Sequence, residues 1–222
     1  MNFHSRLALA CAMYDCCTLA ADIGTDHAHL PIALLRGRRC DRMILTDVSP
    51  DALRNARENI VQAGLSSLVD FRLGDGLAPL TEACGMISIL GMGGRTIRQI
   101  LTRGQAQLRG AVLLLSAHTD VPLVRQTVQE IGYHLTAEEP CFDAGRFYVI
   151  LRAAPGPEPL SPREVQFGKK LFESASPFLR PYLARRVSVL EARLDGLQKA
   201  SAPDSARQEE LADQIRWLRS FL

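Results

Sequence analysis

With 222 residues and a mass of 24.4 kDa, the chain can hold one full hydrophobic core plus an appendage. Its 47% hydrophobic and 23% charged residues are those of an ordinary soluble globular protein, and no apolar run approaches the roughly 20 residues of a membrane span. A formal net charge of +2 is too small to identify a polyanion partner, although every cation except Lys169, Lys170 and Lys199 is an arginine. Arginine forks onto phosphate and stacks on bases better than lysine does, but an arginine-rich composition also follows from a GC-rich genome.

Residues 3–15 read as a short amphipathic helix with Leu7, Leu9 and Ala10 to Ala12 facing inward. The apolar run Cys17 to Ala21 then leads into Asp22 and Gly24, and a helix is expected over 27–36. This strand–turn–helix opening is that of a doubly wound sheet, whose ligands sit at the carboxyl ends of the strands. Thr25, Asp26 and His27 stand where phosphate-binding loops place small residues. A carboxylate from Asp26 at the mouth of the helix would repel a pyrophosphate, which helix N-termini otherwise attract, and would favour a cation. S-adenosylmethionine carries a sulfonium, an ammonium and no phosphate, so the substitution points to that cofactor rather than NAD or ATP. Asp26 can equally be a helix cap, and the two roles can coexist.

The next strand, 42–47, ends on Asp47, placed to accept the ribose hydroxyls of an adenosine cofactor. A helix follows over 50–63, with Pro50 suited to its first turn and Gly64 to its stop. Strand 69–73 leads to Asp75 and Gly76, where the acid would meet the adenine amino group. One such acid alone is commonly a solvated loop residue; three at the ends of successive strands form a pattern. Strand 85–90 runs into Gly91, Met92, Gly93 and Gly94 and a helix over 94–103. Enzymes that methylate exocyclic base amines usually place Asp or Asn and two prolines here; this chain has neither, which argues against that chemistry. The glycines instead let a flat acceptor approach the backbone, or they form only a tight strand-to-helix turn. Further elements are a strand at 111–116, a helix at 120–131 and strands at 134–139 and 146–152, the last two with no helix between them and so an antiparallel hairpin.

The stretch Ala153 to Pro159 reads as a proline-rich linker, dividing a domain 1–154 from a domain 155–222. Ser161-Pro162-Arg163-Glu164 has the form of a capping box. Leu183, Val187, Leu190, Leu194 and Leu197, then Leu211, Ile215, Leu218 and Leu222 beyond a turn at 200–205, set a heptad seam for an antiparallel coiled-coil hairpin. Arg180, Arg185, Arg186 and Arg193 lie off that seam, either as a solvated face or as an RNA contact. The six cysteines show neither C-x-x-C pairing nor zinc-ligand spacing, and the first residues lack a signal peptide's charged start and apolar core. Reduced thiols, no metal, no membrane and a cytoplasmic location are therefore expected.

ADIGTDHAHLP, TDVSPDALRNARENI, GDGLAPL, GMGG and DAGRFYVIL occur in the order seen in bacterial tRNA adenine-N1 methyltransferases of the TrmK type, which the chain resembles over residues 3–153. The resemblance implies an α/β, Rossmann-like class I methyltransferase with a mostly parallel seven-stranded sheet and a helical, coiled-coil-like C-terminal region. It also implies methyl transfer from S-adenosylmethionine to N1 of adenine 22 in tRNA. Carried over by position, the cofactor-binding set is Asp22, Gly24, Asp26, Asp47, Val48, Asp75, Gly76, Gly91, Met92 and Gly93. Asp26, Gly91 and His27 would serve the transfer, although a histidine at a helix start is more often a surface or capping residue. Outside the span of the resemblance, the off-seam Arg180, Arg185, Arg186 and Arg193 are the candidates for RNA contact. Three positions depart from the family: Gly85 where Asp is common, Leu90 where Ala is common, and Ser116-Ala117-His118 in place of Gln-Pro-Asn. The last departure leaves the acceptor-side contact unassigned. Two other classes stay open, a methyltransferase of the same fold acting on ribosomal RNA, protein or a small molecule, and a non-catalytic binding module. Oligomeric state is open, with a monomer favoured.

Overall fold

The computed structural model describes residues 6–199 and 204–222. Expected helical residues 3–5 and most of the expected turn, 200–203, lie outside the described residues. The first described element is α1 (Arg6–Ala12), which ends before the expected residue 15; Tyr14 beyond it is buried, and Leu7 is exposed rather than inward-facing. There follow β1 (Cys17–Ile23), α2 (His29–Arg36), β2 (Cys40–Asp47), α3 (Pro50–Gln62), β3 (Val69–Leu73) and β4 (Met86–Met92). Next come α4 (Gly94–Arg103), the single turn α5 (Gln105–Leu108), β5 (Val112–Ala117), α6 (Val121–Glu130), β6 (Tyr133–Asp143) and β7 (Arg146–Pro155). After these stand α7 (Pro162–Phe167), α8 (Leu179–Gln198) and α9 (Ser205–Arg219).

The seven strands form one sheet in the order β3-β2-β1-β4-β5-β7-β6. β1 to β5 are parallel, and β7 is antiparallel to both β5 and β6. Parallel strands need both faces covered, which is why β4 and β5 are apolar nearly throughout. From β1 the chain winds outward through α2 and α3; from β4 it winds the other way through α4 and α6. With right-handed crossovers these two directions place their helices on opposite faces. Ala20, Met43, Leu45, Met86 and Leu114 accordingly share one core cluster with Ala10, Leu34 and Ile60. Strand order reverses between β1 and β4, and the carboxyl ends of those strands are where such a sheet offers a ligand crevice.

The expected hairpin is present and longer than expected. β6 and β7 pair out to Asp143 and Arg146, joined by Ala144 and Gly145, both with positive φ, as a tight two-residue hairpin turn requires.

Residues 155–174 depart from the expected domain boundary. β7 runs through Pro155, and the chain divides into a unit Met1–Ser174 and a unit Ala175–Leu222. A buried ion pair ties this segment to the first unit: Arg125 Nε meets Glu138 Oε1 at 2.6 Å, and both side chains also bond the segment after the linker. Arg125 Nη1 donates to the carbonyls of Val165 and Gln166 at 3.2 and 3.3 Å, while Glu138 Oε2 accepts from the amides of Lys170 and Leu171 at 2.8 and 3.3 Å. The capping box at Ser161 and Glu164 forms as expected and starts α7. In the second unit Leu183, Val187 and Leu190 are buried with Leu211, Ile215 and Leu218, whereas Leu222, expected on the seam, is exposed at the chain end. Gln208 Nε2 reaches the Leu197 carbonyl and Arg219 reaches Glu191, so α8 and α9 run antiparallel.

A candidate cofactor and acceptor site at the carboxyl edge of the sheet

Asp22 sits in the sheet beneath the turn rather than in the turn itself. It is only 8% exposed, and Ser88 Oγ on β4 donates to its Oδ1 at 2.6 Å. Burial pushes the Asp22 carboxyl up to about 6, against the bond from Ser88, which favours the charged form. Tyr14 Oη lies 3.5 Å from Ser88 Oγ, and burial raises that phenol well above its ordinary value. Gly24 turns the chain with φ +76, and its amide donates to Thr46 O at 2.8 Å. Any Cβ on Gly24 would overlap the Met92 methyl, so the end of β4 packs directly on the turn after β1.

Asp26 does not cap α2. The N-cap position belongs to Ala28, in the left-handed region with φ 54 and without a side-chain cap, so the helix starts two residues later than expected. Asp26 is instead exposed beside His27, whose Nε2 is 3.2 Å from its Oδ2, and Asn55 Nδ2 of α3 approaches its other oxygen at 3.4 Å. His27 precedes the helix and stacks on His29 with ring centroids 5.6 Å apart. Asn59 Nδ2 holds the carbonyl of His27 at 3.0 Å, so α3 fixes this turn from the side.

Asp47 is half-buried at the end of β2. Its Oδ1 accepts from Ser49 N at 2.7 Å, and Ser49 caps α3. Val48 beside it is 66% exposed, and Leu73, the register partner of Asp47 on β3, is 60% exposed. An apolar shelf thus flanks the carboxylate. Asp75 is exposed near Arg103 Nη1, at 3.5 Å. With Gly76, Thr96, Gln99, Ile100 and Arg103 it lines a cavity of about 210 Å³ between the loop after β3 and α4. Thr46 Oγ1 donates to Gly76 O at 3.2 Å, tying that loop to β2.

The glycine cluster divides by role. Gly91 forms a bulge between β4 and β5 with φ +81. Gly93 has φ −70, and a Cβ there would make ordinary contact with Thr119 Oγ1 at 3.5 Å. Gly94 is a packing requirement: a Cβ would lie 2.6 Å from Asp120 O. Gly94 is thus required by the packing of the turn, while Gly91 and Gly93 present backbone at the edge.

Sequence reasoning missed Ser88 and Tyr14, and it also missed Arg6 and Tyr148, which gather with His118 at the end of β4. Antiparallel β7 brings Tyr148 to the carboxyl edge, a signal available once the hairpin is drawn; nothing in the sequence singled out Arg6. Arg180, Arg185 and Arg193 are exposed and Arg186 half-buried on α8 in the second unit. Among the described residues no ion pair involves any of these four, whereas on α9 Arg207 pairs with Glu210, Arg216 with Asp213 and Arg219 with Glu191.

Comparison with known proteins accords with this architecture. A curated Bacillus subtilis tRNA (adenine(22)-N(1))-methyltransferase is 25% identical over 218 residues, covering 91% of this chain and 89% of that protein. A Streptococcus pneumoniae structure in complex with S-adenosyl-L-methionine, described as a candidate tRNA (m1A22) methyltransferase, is 30% identical, with 98% of each chain covered and a TM-score of 0.84. The crystal structure of the B. subtilis M1A22 tRNA methyltransferase TrmK superposes with a TM-score of 0.85 at 23% identity, covering 98% of this chain and 97% of that one, and so shows the shared fold. The profile of the TrmK family, tRNA (adenine(22)-N(1))-methyltransferase, matches residues 20–220, nearly the whole described chain, and the chain belongs to that family.

Proposed function

We propose that the chain transfers a methyl group from S-adenosylmethionine to N1 of adenine 22 in tRNA. The observation that carries this reading is the family match across residues 20–220, over a carboxyl edge whose acids and glycines suit such a cofactor. The fit rests on the donor set. Asp47 keeps an oxygen beyond its bond to Ser49 and sits beside the apolar shelf of Val48, as a ribose and purine require. Asp75 and Gly76 border the cavity against α4, and no phosphate-binding run of glycines follows β1. When bound, the cofactor supplies an electrophilic methyl group on a sulfonium.

This chain's residues then have two tasks. The first is alignment. Adenine N1 already carries a lone pair, so holding it in line with the methyl is the main contribution, a proximity effect worth up to roughly 7–11 kcal/mol. Gly91, Met92 and Gly93 present backbone for that approach, and Gly24 packs under Met92. The second is charge. Methylation at N1 leaves a cation unless a proton leaves N6, and the exposed carboxylate of Asp26 and the carbonyl of Gly91 would stabilise it, with His27 as an acceptor contact. Asp22 acts from beneath by fixing β1 to β4 through Ser88.

An adenine inside folded tRNA must leave its stack at a cost of a few kcal/mol. Arg180, Arg185, Arg186 and Arg193 of α8 have no acid partner among the described residues, which supports phosphate contact as their role. Action on tRNA implies a cytoplasmic location; no described helix is long and apolar enough to cross a membrane. The test is to incubate the chain with unmodified tRNA and methyl-labelled S-adenosylmethionine and map the modified nucleoside. Label at N1 of adenine 22, absent when that position is guanine, is the expected result; label elsewhere would overturn the reading.

A further inference from the structure

Arg6, the first residue of α1, stacks its guanidinium over the ring of Tyr148, 4.8 Å from the ring centroid. His118, just past β5, meets the same ring edge-on, with centroids 5.6 Å apart and planes at 77°. Both converge on Gly91: a Cβ placed there would lie 3.4 Å from His118 Nε2 and 4.0 Å from Arg6 Nη1. Among the described residues that Arg6 nitrogen is buried without a hydrogen-bond partner. A buried donor left unpaired is costly, and native structures rarely keep one without a use. Arg6 as a whole is only half-buried, and His118 beside it is exposed.

The side of the switch point matters. Asp47 and Asp75 follow β2 and β3 on one half of the sheet, while Arg6, His118 and Tyr148 lie at β4, β5 and β7 on the other. We propose that Arg6, held flat by Tyr148 and flanked by His118, binds a phosphate oxygen of the nucleotide that presents the target adenine. This rests on the tRNA reading above. A guanidinium stacked on an aromatic face keeps its N–H donors in the plane, where they match two oxygens of a phosphate. Charge argues for backbone over base. The methylated adenine becomes cationic, and a guanidinium in contact with the ring would oppose that charge, whereas one on the phosphate would not. A nucleotide drawn out of its stack also needs its backbone held in the new path.

The test uses the full chain with Arg6→Ala, Arg6→Gln and Arg6→Lys. Three quantities are measured: affinity for unmodified tRNA across a salt series, affinity for S-adenosylhomocysteine by calorimetry, and steady-state kinetics. Arg6→Ala and Arg6→Gln should raise Kd and KM for tRNA about tenfold or more, and should flatten the salt slope by about one unit. S-adenosylhomocysteine affinity should stay within about threefold of the parent. Arg6→Lys should keep the slope, because the charge remains, yet recover only part of the affinity, because the fork is lost. Arg6→Gln fills similar space, so it decides the matter if the alanine variant does not fold. An equal loss of S-adenosylhomocysteine affinity with an unchanged slope would put Arg6 on the carboxylate of the cofactor and overturn the proposal. Unchanged affinity for both ligands would make Arg6 a packing residue and overturn it as well. If the tRNA reading itself fails, the parent protein shows it by leaving adenine 22 unmethylated before any variant is made.

Discussion

Asp22 bears a cost that its hydrogen bond from Ser88 only partly offsets, and the sign of that cost sets a pH dependence. Its folded value, about 6, lies above the ordinary 3.8. The folded chain therefore holds a proton that the unfolded chain has lost, and the stability this contributes is full below about pH 4 and gone above about pH 6. Asp22→Asn removes the titration. Thermal melts should show the variant gaining on the parent as pH rises through that window, with no further gain above it. Asp47 is half-buried, with one oxygen engaged by Ser49. Asp47→Ala should weaken S-adenosylhomocysteine binding by about 1.5–3 kcal/mol, read by calorimetry. Ser49→Ala, which disturbs only the cap of α3, should leave that affinity near the parent value.

At the scale of elements, neighbouring glycines separate fold from chemistry. Gly93→Val places a Cβ at φ −70 in ordinary contact, 3.5 Å from Thr119 Oγ1, so the variant should fold and bind S-adenosylhomocysteine while losing methyl transfer. Gly94→Ala drives a methyl to 2.6 Å from Asp120 O and should lower the melting temperature instead, since backbone cannot yield as a flexible side chain can. Much of this was legible beforehand. The strand end at Asp47 follows from an apolar run meeting turn residues, β4 runs two residues past its expected end at 90, and the hairpin follows from two strands with no helix between them. The α2 start was not legible, because an alanine in the left-handed region at position 28 violates the capping preference that Asp26 advertised. Nor was the cluster of Arg6, His118 and Tyr148, which only tertiary packing assembles from three distant segments.

At the scale of the whole molecule, the proline-rich stretch Ala153 to Pro159 resembled a boundary for sound local reasons, yet the partners of a buried charge pair lie beyond it. No composition signal announces that Arg125 and Glu138 need carbonyls from residues 165–166 and amides from 170–171. A chain ending near Pro157 should accordingly melt roughly 5–10 °C below one ending at Ser174, because bonds to buried charges go unmade. The shorter form is then a poor baseline for the helical unit's contribution to RNA binding. That contribution is better read from Arg185→Ala combined with Arg186→Ala, which should flatten the salt dependence of tRNA affinity by roughly one to two units while leaving the melt unchanged. An unaltered slope would turn α8 and α9 into an element of stability or protein interaction.

Two main-chain hydrogen bonds at the sheet edge carry a thermodynamic consequence. The His118 amide donates to Met92 O at 2.9 Å and the Gly94 amide to Thr119 O at 3.0 Å, so the loop after β4 and the loop after β5 are stitched together. Met92 in turn packs on Gly24, which ties both loops to the turn after β1. Contact through the Met92 side chain therefore joins the cofactor half to the acceptor half, so ligands on the two halves can be coupled there. Linkage makes the effect reciprocal: the factor by which bound S-adenosylhomocysteine alters tRNA affinity equals the factor by which tRNA alters S-adenosylhomocysteine affinity.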